Sequence, residues 1–243
     1  MNRILTIDLE SDFETAQTKS FELIAQLLDL LDDYDAKATF FVVGNLIKGR
    51  EAIIKEISRK GHEIGSHSWS HSYLTKLNVQ QLEEEIVKTK EALKKLKIPC
   101  VGFRAPYFLP HEHQFPLLKE HGFLYDSSYS SVFPGRYFRP HLSSKPHMAQ
   151  GLQALPMPNF LFKSVPAGLS YYRLFHPLSK TFPLPYMIYL HPCELLGEMP
   201  KNGISPIVRK SYGRNLTRSW QLFEELLSKN EGKWVSCKEY VRM

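Results

Sequence analysis

From residue 3 to residue 122 the chain alternates short apolar runs with longer segments whose apolar residues recur at helical spacing, and no other feature restricts its fold as much. "RILTID" (3–8), "KATFFVV" (37–43), "HEIGSH" (62–67) and "CVGFRAP" (100–106) read as strands. "SFELIAQLLDLLDDY" (20–34), "IKGREAIIKEISRKG" (47–61), "NVQQLEEEIVKTKEALKKLK" (78–97) and "HEHQFPLLKEHG" (111–122) read as helices. Asn78 is placed to cap the third helix, with Gln81 completing a capping box, and Gly61 and Gly122 are placed to end the second and fourth. Strands that alternate with helices in this rhythm lie parallel, because each crossover helix returns the chain to the same end of the sheet. The predicted class is α/β.

Ligands in such sheets and barrels sit at the C-terminal ends of the strands. Asp8 ends the first strand, His67 and His71 follow the third, and Arg104 falls at the end of the fourth. "YMIYLH" (186–191) reads as a later strand that ends in His191. Chemically capable side chains that gather on one rim from separate strands point to one site. Between about 128 and 185 the periodicity fades into a stretch rich in Pro, aromatic residues and Arg, which reads as an irregular insertion or lid. "SPIVRKSYGRNLTRSWQLFEELLSKN" (205–230) then reads as a helix broken near Gly213, and "KWVSCKEYV" as a strand running into a short helix. The length of 243 residues allows one domain or two, and a single catalytic domain over 1–243 is expected.

With 43% hydrophobic residues the composition is that of a soluble globular protein. No apolar run reaches the roughly 18 residues of a membrane span. "MNRILTIDLESDFE" meets acids too soon for a secretory leader, so a cytoplasmic location is expected. Cys100, Cys193 and Cys237 are widely spaced and suggest neither a disulfide framework nor a cysteine-based zinc site. The net charge of +6 is dispersed over mixed helix faces such as "KTKEALKKLK" (88–97), which speaks against a nucleic-acid partner. It is compatible with an acidic or phosphate-linked substrate, and with peripheral contact to membrane-linked intermediates.

In "HSWSH" (67–71) two histidines stand at i and i+4, which on a helical turn brings both imidazoles to one point. Such a pair alone is more often a polar surface than a metal site. Its weight comes from the acids at the neighbouring strand end. "TIDLESD" (6–12) offers Asp8, Glu10 and Asp12, and on an extended strand Asp8 and Glu10 share a face. Two acids suggest two roles, one holding a divalent metal and one taking a proton. The competing reading is an acidic loop that caps the following helix.

"TIDLESD", "HSWSH", "FRAPYF", "GFLYDSS" and "YLHPCE" occur in this order between residues 6 and 194, and together they resemble the motifs of NodB-type polysaccharide deacetylases, carbohydrate esterase family four. The resemblance implies a distorted (β/α) barrel with fewer than eight parallel strands. It also implies a metal-dependent hydrolase that removes N-acetyl, less often O-acetyl, groups from sugars. Carried over by position, His67 and His71 would hold a divalent metal, zinc before others. Asp8 would be the general base, steadied by Arg104, and His191 the general acid, paired with Asp126. The common form of the family has two adjacent acids, whereas here Leu9 follows Asp8. This matches a D-x-E variant found among cytoplasmic deacetylases of surface-polysaccharide assembly, in which Glu10 would be the third ligand, with Asp12 in reserve. No Gly follows Tyr107, and no Trp follows the Asp126 motif, so the substrate groove should have its own shape.

The expected substrate is an N-acetylated amino sugar of a surface polysaccharide or its precursor. The alternatives are a deformylase or other C–N amide hydrolase on the same fold, and an inactive carbohydrate-binding module. His62, His111, His113 and His121 read as structural, while His141, His147 and His176 lie in the insertion and could touch a substrate, though a structural reading is preferred for them too. Tyr129, Phe133, Tyr137, Phe138, Tyr171 and Tyr172 could stack on sugar rings or simply anchor the insertion. Arg136, Arg139 and Arg173 could meet a phosphate or a uronic acid.

Overall fold

In the computed structural model, which describes residues 1–130, 143–161 and 165–243, strand β1 (Arg3–Leu9) is the spine of one large sheet. Ile4, Leu5, Ile7 and Leu9 are fully buried, so both faces of the strand are covered, as in an α/β sheet. On one side β2 (Thr39–Val42), β3 (Glu63–Ser66), β4 (Gly102–Phe103) and β5 (Tyr125–Asp126) follow in chain order, all parallel. The crossovers carry α1 (Ile24–Asp33), α2 (Glu51–Arg59), α3 (Val79–Lys95) and α4 (Gln114–Glu120). Each helix turns one stripe inward: Ile24, Leu27, Leu28 and Leu31 from α1, and Leu82, Ile86 and Leu93 from α3. The Asn78–Gln81 capping box forms, with Gln81 N donating to Asn78 Oδ1 at 2.9 Å and Asn78 N to Gln81 Oε1 at 3.0 Å.

Past β5 the sheet continues through the stretch that reads as irregular. β6 (His147–Ala149) and β7 (Leu152–Ala154) form a hairpin, and β7 lies parallel to β5. β8 (Asn159–Leu161) and β9 (Val165–Pro166) pair separately, and α5 (Leu169–Leu174) follows. Strands of two or three residues are too short to leave an alternation in the sequence, which is why this region looked structureless. β10 (Met187–Leu190) then pairs with the other side of β1. The order is β10-β1-β2-β3-β4-β5-β7-β6, parallel up to β7 and antiparallel at β6. The result is a parallel sheet curled into a half-barrel. α6 (Pro206–Gly213) and α7 (Ser219–Ser228) are the two pieces of the helix predicted to break near Gly213. β11 (Trp234–Val235) branches off along the foot of β1, and α8 (Cys237–Arg242) ends the chain. Among the described residues, no helix is long and apolar enough to cross a membrane.

One glycine is fixed by close approach. A Cβ on Gly102 would lie 2.0 Å from Tyr125 Cζ. Tyr125 has no room to swing away, because it is fully buried and donates its hydroxyl to Glu63 Oε1 at 2.9 Å. Gly102→Ala should therefore cost about 1–3 kcal/mol, the usual range for overpacking, read as a lowered urea midpoint. An unchanged midpoint would mean that the Tyr125 ring yields freely.

Candidate active site

Asp8 and Glu10 lie at the C-terminal end of β1 and both face a cavity of about 210 Å³, while Leu9 between them is buried in the core. His67, directly after β3, faces the same cavity. Its Nδ1 lies 2.8 Å from the carbonyl oxygen of Arg104. A carbonyl only accepts, so Nδ1 donates to it and Nε2 is the ring nitrogen turned towards Glu10.

His71 arrives by a route that differs from the sequence reading. Residues 67–73 form no helix; Ser68 and His71 take left-handed backbone angles, φ 61° and 60°, which fold the chain back on itself. Glu85 of α3 fastens this turn, accepting from Trp69 N at 2.9 Å, Ser70 N at 2.8 Å and Ser70 Oγ at 2.6 Å. Thr89 Oγ1 adds a bond to Ser68 O at 2.8 Å. In the sequence Glu85 is one of several acids on an amphipathic helix, with nothing to distinguish it from a solvated one.

The ligand atoms of Glu10, His67 and His71 all lie within 4.8 Å of one another. Glu10 Oε2 is 2.5 Å from His71 Nε2 and 3.4 Å from His67 Nε2. Burial alone would raise the Glu10 carboxyl, but His71 and His191 nearby, with hydrogen bonds from His67 and His71, hold it well below the usual carboxylate range. A carboxylate and two imidazoles aimed at one point make a donor set that fits a divalent cation of the zinc kind. Asp12, the reserve ligand, is turned elsewhere. It is buried and accepts from Ser20 N at 3.3 Å and from Ser20 Oγ, so it fastens its own turn.

Arg104, at the end of β4, is fully buried and lies with its guanidinium over the Phe41 ring at 4.2 Å. Nη1 donates to Asp8 Oδ1 at 2.6 Å and to Thr6 Oγ1 at 3.0 Å, and Nη2 to Ser127 Oγ at 3.0 Å. This fixes one oxygen of Asp8. The other, Oδ2, lies 3.9 Å from His191 Nε2.

The pairing of His191 with Asp126 does not occur. Asp126, at the end of β5, spends its carboxylate on Ser128 N at 2.9 Å, Ser128 Oγ at 2.7 Å and Gln114 Nε2 at 2.6 Å. Ser128 Oγ in turn accepts from Ala105 N at 2.7 Å, so Asp126 secures the segment that leads from Arg104 to Tyr107. The carboxylate beside His191 Nδ1 is Glu194, whose Oε1 lies 3.4 Å from that nitrogen and accepts from His191 N at 3.1 Å. Glu194 reaches back from a 3₁₀ turn, Pro192–Leu195, that begins right after the histidine. The signal was there in "HPCE": an acid three residues past a potential cap, with proline at the first position of the turn. Arg173, read as a candidate for phosphate, is instead fully buried and donates through Nη2 to Glu194 Oε2 at 2.9 Å.

Burial pulls His191 down, but Glu10, Glu194 and Asp8 outweigh it and hold the imidazole up at about 9. Burial pushes the Asp126 carboxyl up to about 6. A pH consequence follows for any reaction in which His191 donates a proton. Glu194→Gln removes a negative charge that favours the imidazolium, so the basic limb of the pH–rate profile should move to lower pH. Asp126→Asn should leave that limb in place. The opposite pattern would return the pairing to Asp126.

Tyr107, Phe108, Tyr171 and Tyr189 provide aromatic walls to the cavity. Tyr171 is thus placed to meet a ligand. Tyr172 and Tyr129 anchor instead: Tyr172 packs on Phe160 and donates to Glu225 Oε1 at 2.5 Å, and Tyr129 packs on Phe115. Phe133, Arg136, Tyr137, Phe138, Arg139 and His141 lie outside the described residues. His62 is structural, its Nδ1 accepting from Ala38 N at 3.2 Å, and His121 pairs with Glu83 at 2.8 Å. His111 Nδ1 accepts from His113 N at 3.0 Å, and neither side chain caps α4. His147 and His176 do not line the cavity.

A parallel half-barrel with its polar rim gathered at the C-terminal strand ends is the NodB-like (β/α) architecture. Residues 12–125 match the model of the polysaccharide deacetylase family. A peptidoglycan-N-acetylglucosamine deacetylase of Bacillus cereus is 35% identical over 98 residues, which are 40% of this chain and 46% of that protein. The chain therefore spans less than half the length of that relative. A solved putative polysaccharide deacetylase of Mycobacterium smegmatis superposes with a TM-score of 0.66 at 18% identity, over 99% of this chain and 88% of that one. An allantoinase superposes with a TM-score of 0.62 at 17% identity, over 99% and 89%. At such identities the likeness concerns the fold, and the chemistry must be argued from the site.

Proposed function

We propose that this protein is a metal-dependent hydrolase that removes an N-acetyl group from an amino sugar of a surface polysaccharide or its precursor. The observation that carries this reading is the convergence of Glu10, His67 and His71 beside an Asp8 held by Arg104 and a His191 held by Glu194. Glu10, His67 and His71 would hold the ion, which when bound supplies Lewis acidity towards the amide carbonyl and the attacking water. Asp8, with Oδ1 tied to Arg104, offers Oδ2 to the proton that water loses as its oxygen bonds to the carbonyl carbon. The C–N bond then breaks. His191 gives its proton to the departing nitrogen, which would otherwise leave as a strongly basic anion. Acetate and a free amine result.

Cys193 borders the cavity, but burial, with Glu194 beside it, holds its thiol well above the usual range. It stays protonated at neutral pH, so a covalent cysteine route is disfavoured.

Exhaustive chelation should abolish acetate release from N-acetylated sugars, and zinc or another divalent ion should restore it. Full activity in protein shown to be metal-free by elemental analysis would refute the reading. Faster release from N-formyl or cyclic amides than from N-acetyl sugars, measured side by side, would keep the mechanism and move the substrate to another C–N bond.

A further inference from the structure

One wall of the cavity is built apart from the barrel. Phe13, Cys193 and Leu216, with Leu196, Met199, Ile204 and Tyr212 against them, form a small apolar cluster separate from the main core. Phe13 stands on a turn after β1 where it and Glu14 both have positive φ, 51° and 61°. That conformation is costly for a side-chain-bearing residue, and Asp12 holds it through its bonds to Ser20. From the other side comes Tyr212 of α6. The Phe13 and Tyr212 rings meet edge to face, centroids 6.2 Å apart, and Tyr212 lies 6.3 Å from the His191 ring. Both residues line the cavity.

This wall is anchored at depth. Arg173 Nη1 donates to the carbonyls of Tyr212 at 2.7 Å and Arg214 at 3.1 Å, while Asn215 Nδ2 donates back to Arg173 O at 2.9 Å. Arg209 Nη2 closes the base of the excursion, with 2.9 Å bonds to Pro200 O and Lys201 O. The same buried Arg173 holds Glu194, so the wall and the acid that orients His191 share one pin.

We propose that the pocket is blind at the Phe13–Tyr212 end and takes one N-acetylated sugar ring, free or at the end of a chain, in preference to an interior unit of a polymer. This rests on the deacetylase reading above and narrows its substrate. An interior unit must leave the site on two sides, and the ring contact of Phe13 with Tyr212 shuts one of them. The cavity of about 210 Å³ also falls below the roughly 300–1,000 Å³ of pockets that enclose drug-sized ligands. Aromatic rings stack on the apolar faces of a pyranose and tolerate its hydroxyls at the edges.

The test compares the zinc-loaded enzyme on the mono-, di- and tetrasaccharides of N-acetylglucosamine, with reducing ends isotopically labelled and each lost acetyl group located by mass spectrometry. The tetrasaccharide should lose acetate from a terminal ring, and kcat/KM should change less than about threefold with chain length. Tyr212→Ala and Phe13→Ala should raise interior relative to terminal cleavage at least tenfold, while Tyr212→Phe, which keeps the ring, should retain the terminal preference. Interior cleavage by the unaltered enzyme at the terminal rate would overturn the proposal and leave the deacetylase reading standing. Acetate release from none of these lengths would strike the deacetylase reading and this one together. Saturation-transfer NMR with the tetrasaccharide reads the pocket without turnover: contact confined to one terminal ring supports a blind pocket, and contact spread along the chain overturns it.

Discussion

Asp8→Asn should leave the metal content of the protein unchanged and lower kcat for acetate release by about 10²–10⁴-fold, the range of a lost general base. An amide cannot take up the proton that the attacking water sheds. The reason to expect metal retention is geometric. Asp8 points Oδ1 at Arg104, and Glu10 is the acid whose oxygen lies among the histidine nitrogens. Glu10→Gln should therefore fail differently, with weakened metal affinity first and lost activity as a consequence. Elemental analysis of both variants separates the roles. An Asp8→Asn protein stripped of metal, beside a Glu10→Gln protein that keeps it, would exchange them. Asp8→Asn should also melt at a lower temperature, because Arg104 remains buried without its carboxylate.

His191→Ala should abolish amide cleavage, by about 10²–10⁴-fold, while metal content stays the same. The leaving amine sets the size of this loss, since an amine expelled without a proton is a very poor leaving group. An activated acetate ester leaves as a stabilised anion and needs little protonation. His191→Ala should thus lose far less activity on the ester than on the amide. Equal losses on both substrates would mean that His191 is not the proton donor and acts only by shaping the site.

Much of the half-barrel was readable because its first elements are long enough to show a period. β1 has seven residues and α3 has seventeen, and each carries a clear apolar pattern. β6 to β9 have two or three residues each, and no period fits in so few. The site divides in the same way. Asp8, Glu10, His67, His71, Arg104 and His191 were legible because strand ends in a parallel sheet converge on one rim. Glu85, Arg173 and Tyr212 were not, because each acts on a partner far away in the chain. Glu194 was within reach of a sequence reading, since a turn of four residues decides its position. Likeness to a family placed Asp126 there instead, and local geometry overruled it.

The two halves of the candidate site stand on ground of unequal firmness. β1 is hydrogen-bonded to β2, β10 and β11, and its amides should be among the last to exchange with solvent. Asp8 rides on that strand. His71 stands on a left-handed turn outside the sheet, held by the side chains of Glu85 and Thr89 and by two backbone bonds from Gly44 N and Asn45 N, and its own side chain is 18% exposed. Warming or mild denaturant should therefore open the His71 turn while the sheet and the Asp8–Arg104 pair persist. A protein carrying the proposed ion would then shed it and lose the proposed activity well before it unfolds, and on cooling it would recover by rebinding an ion rather than by refolding.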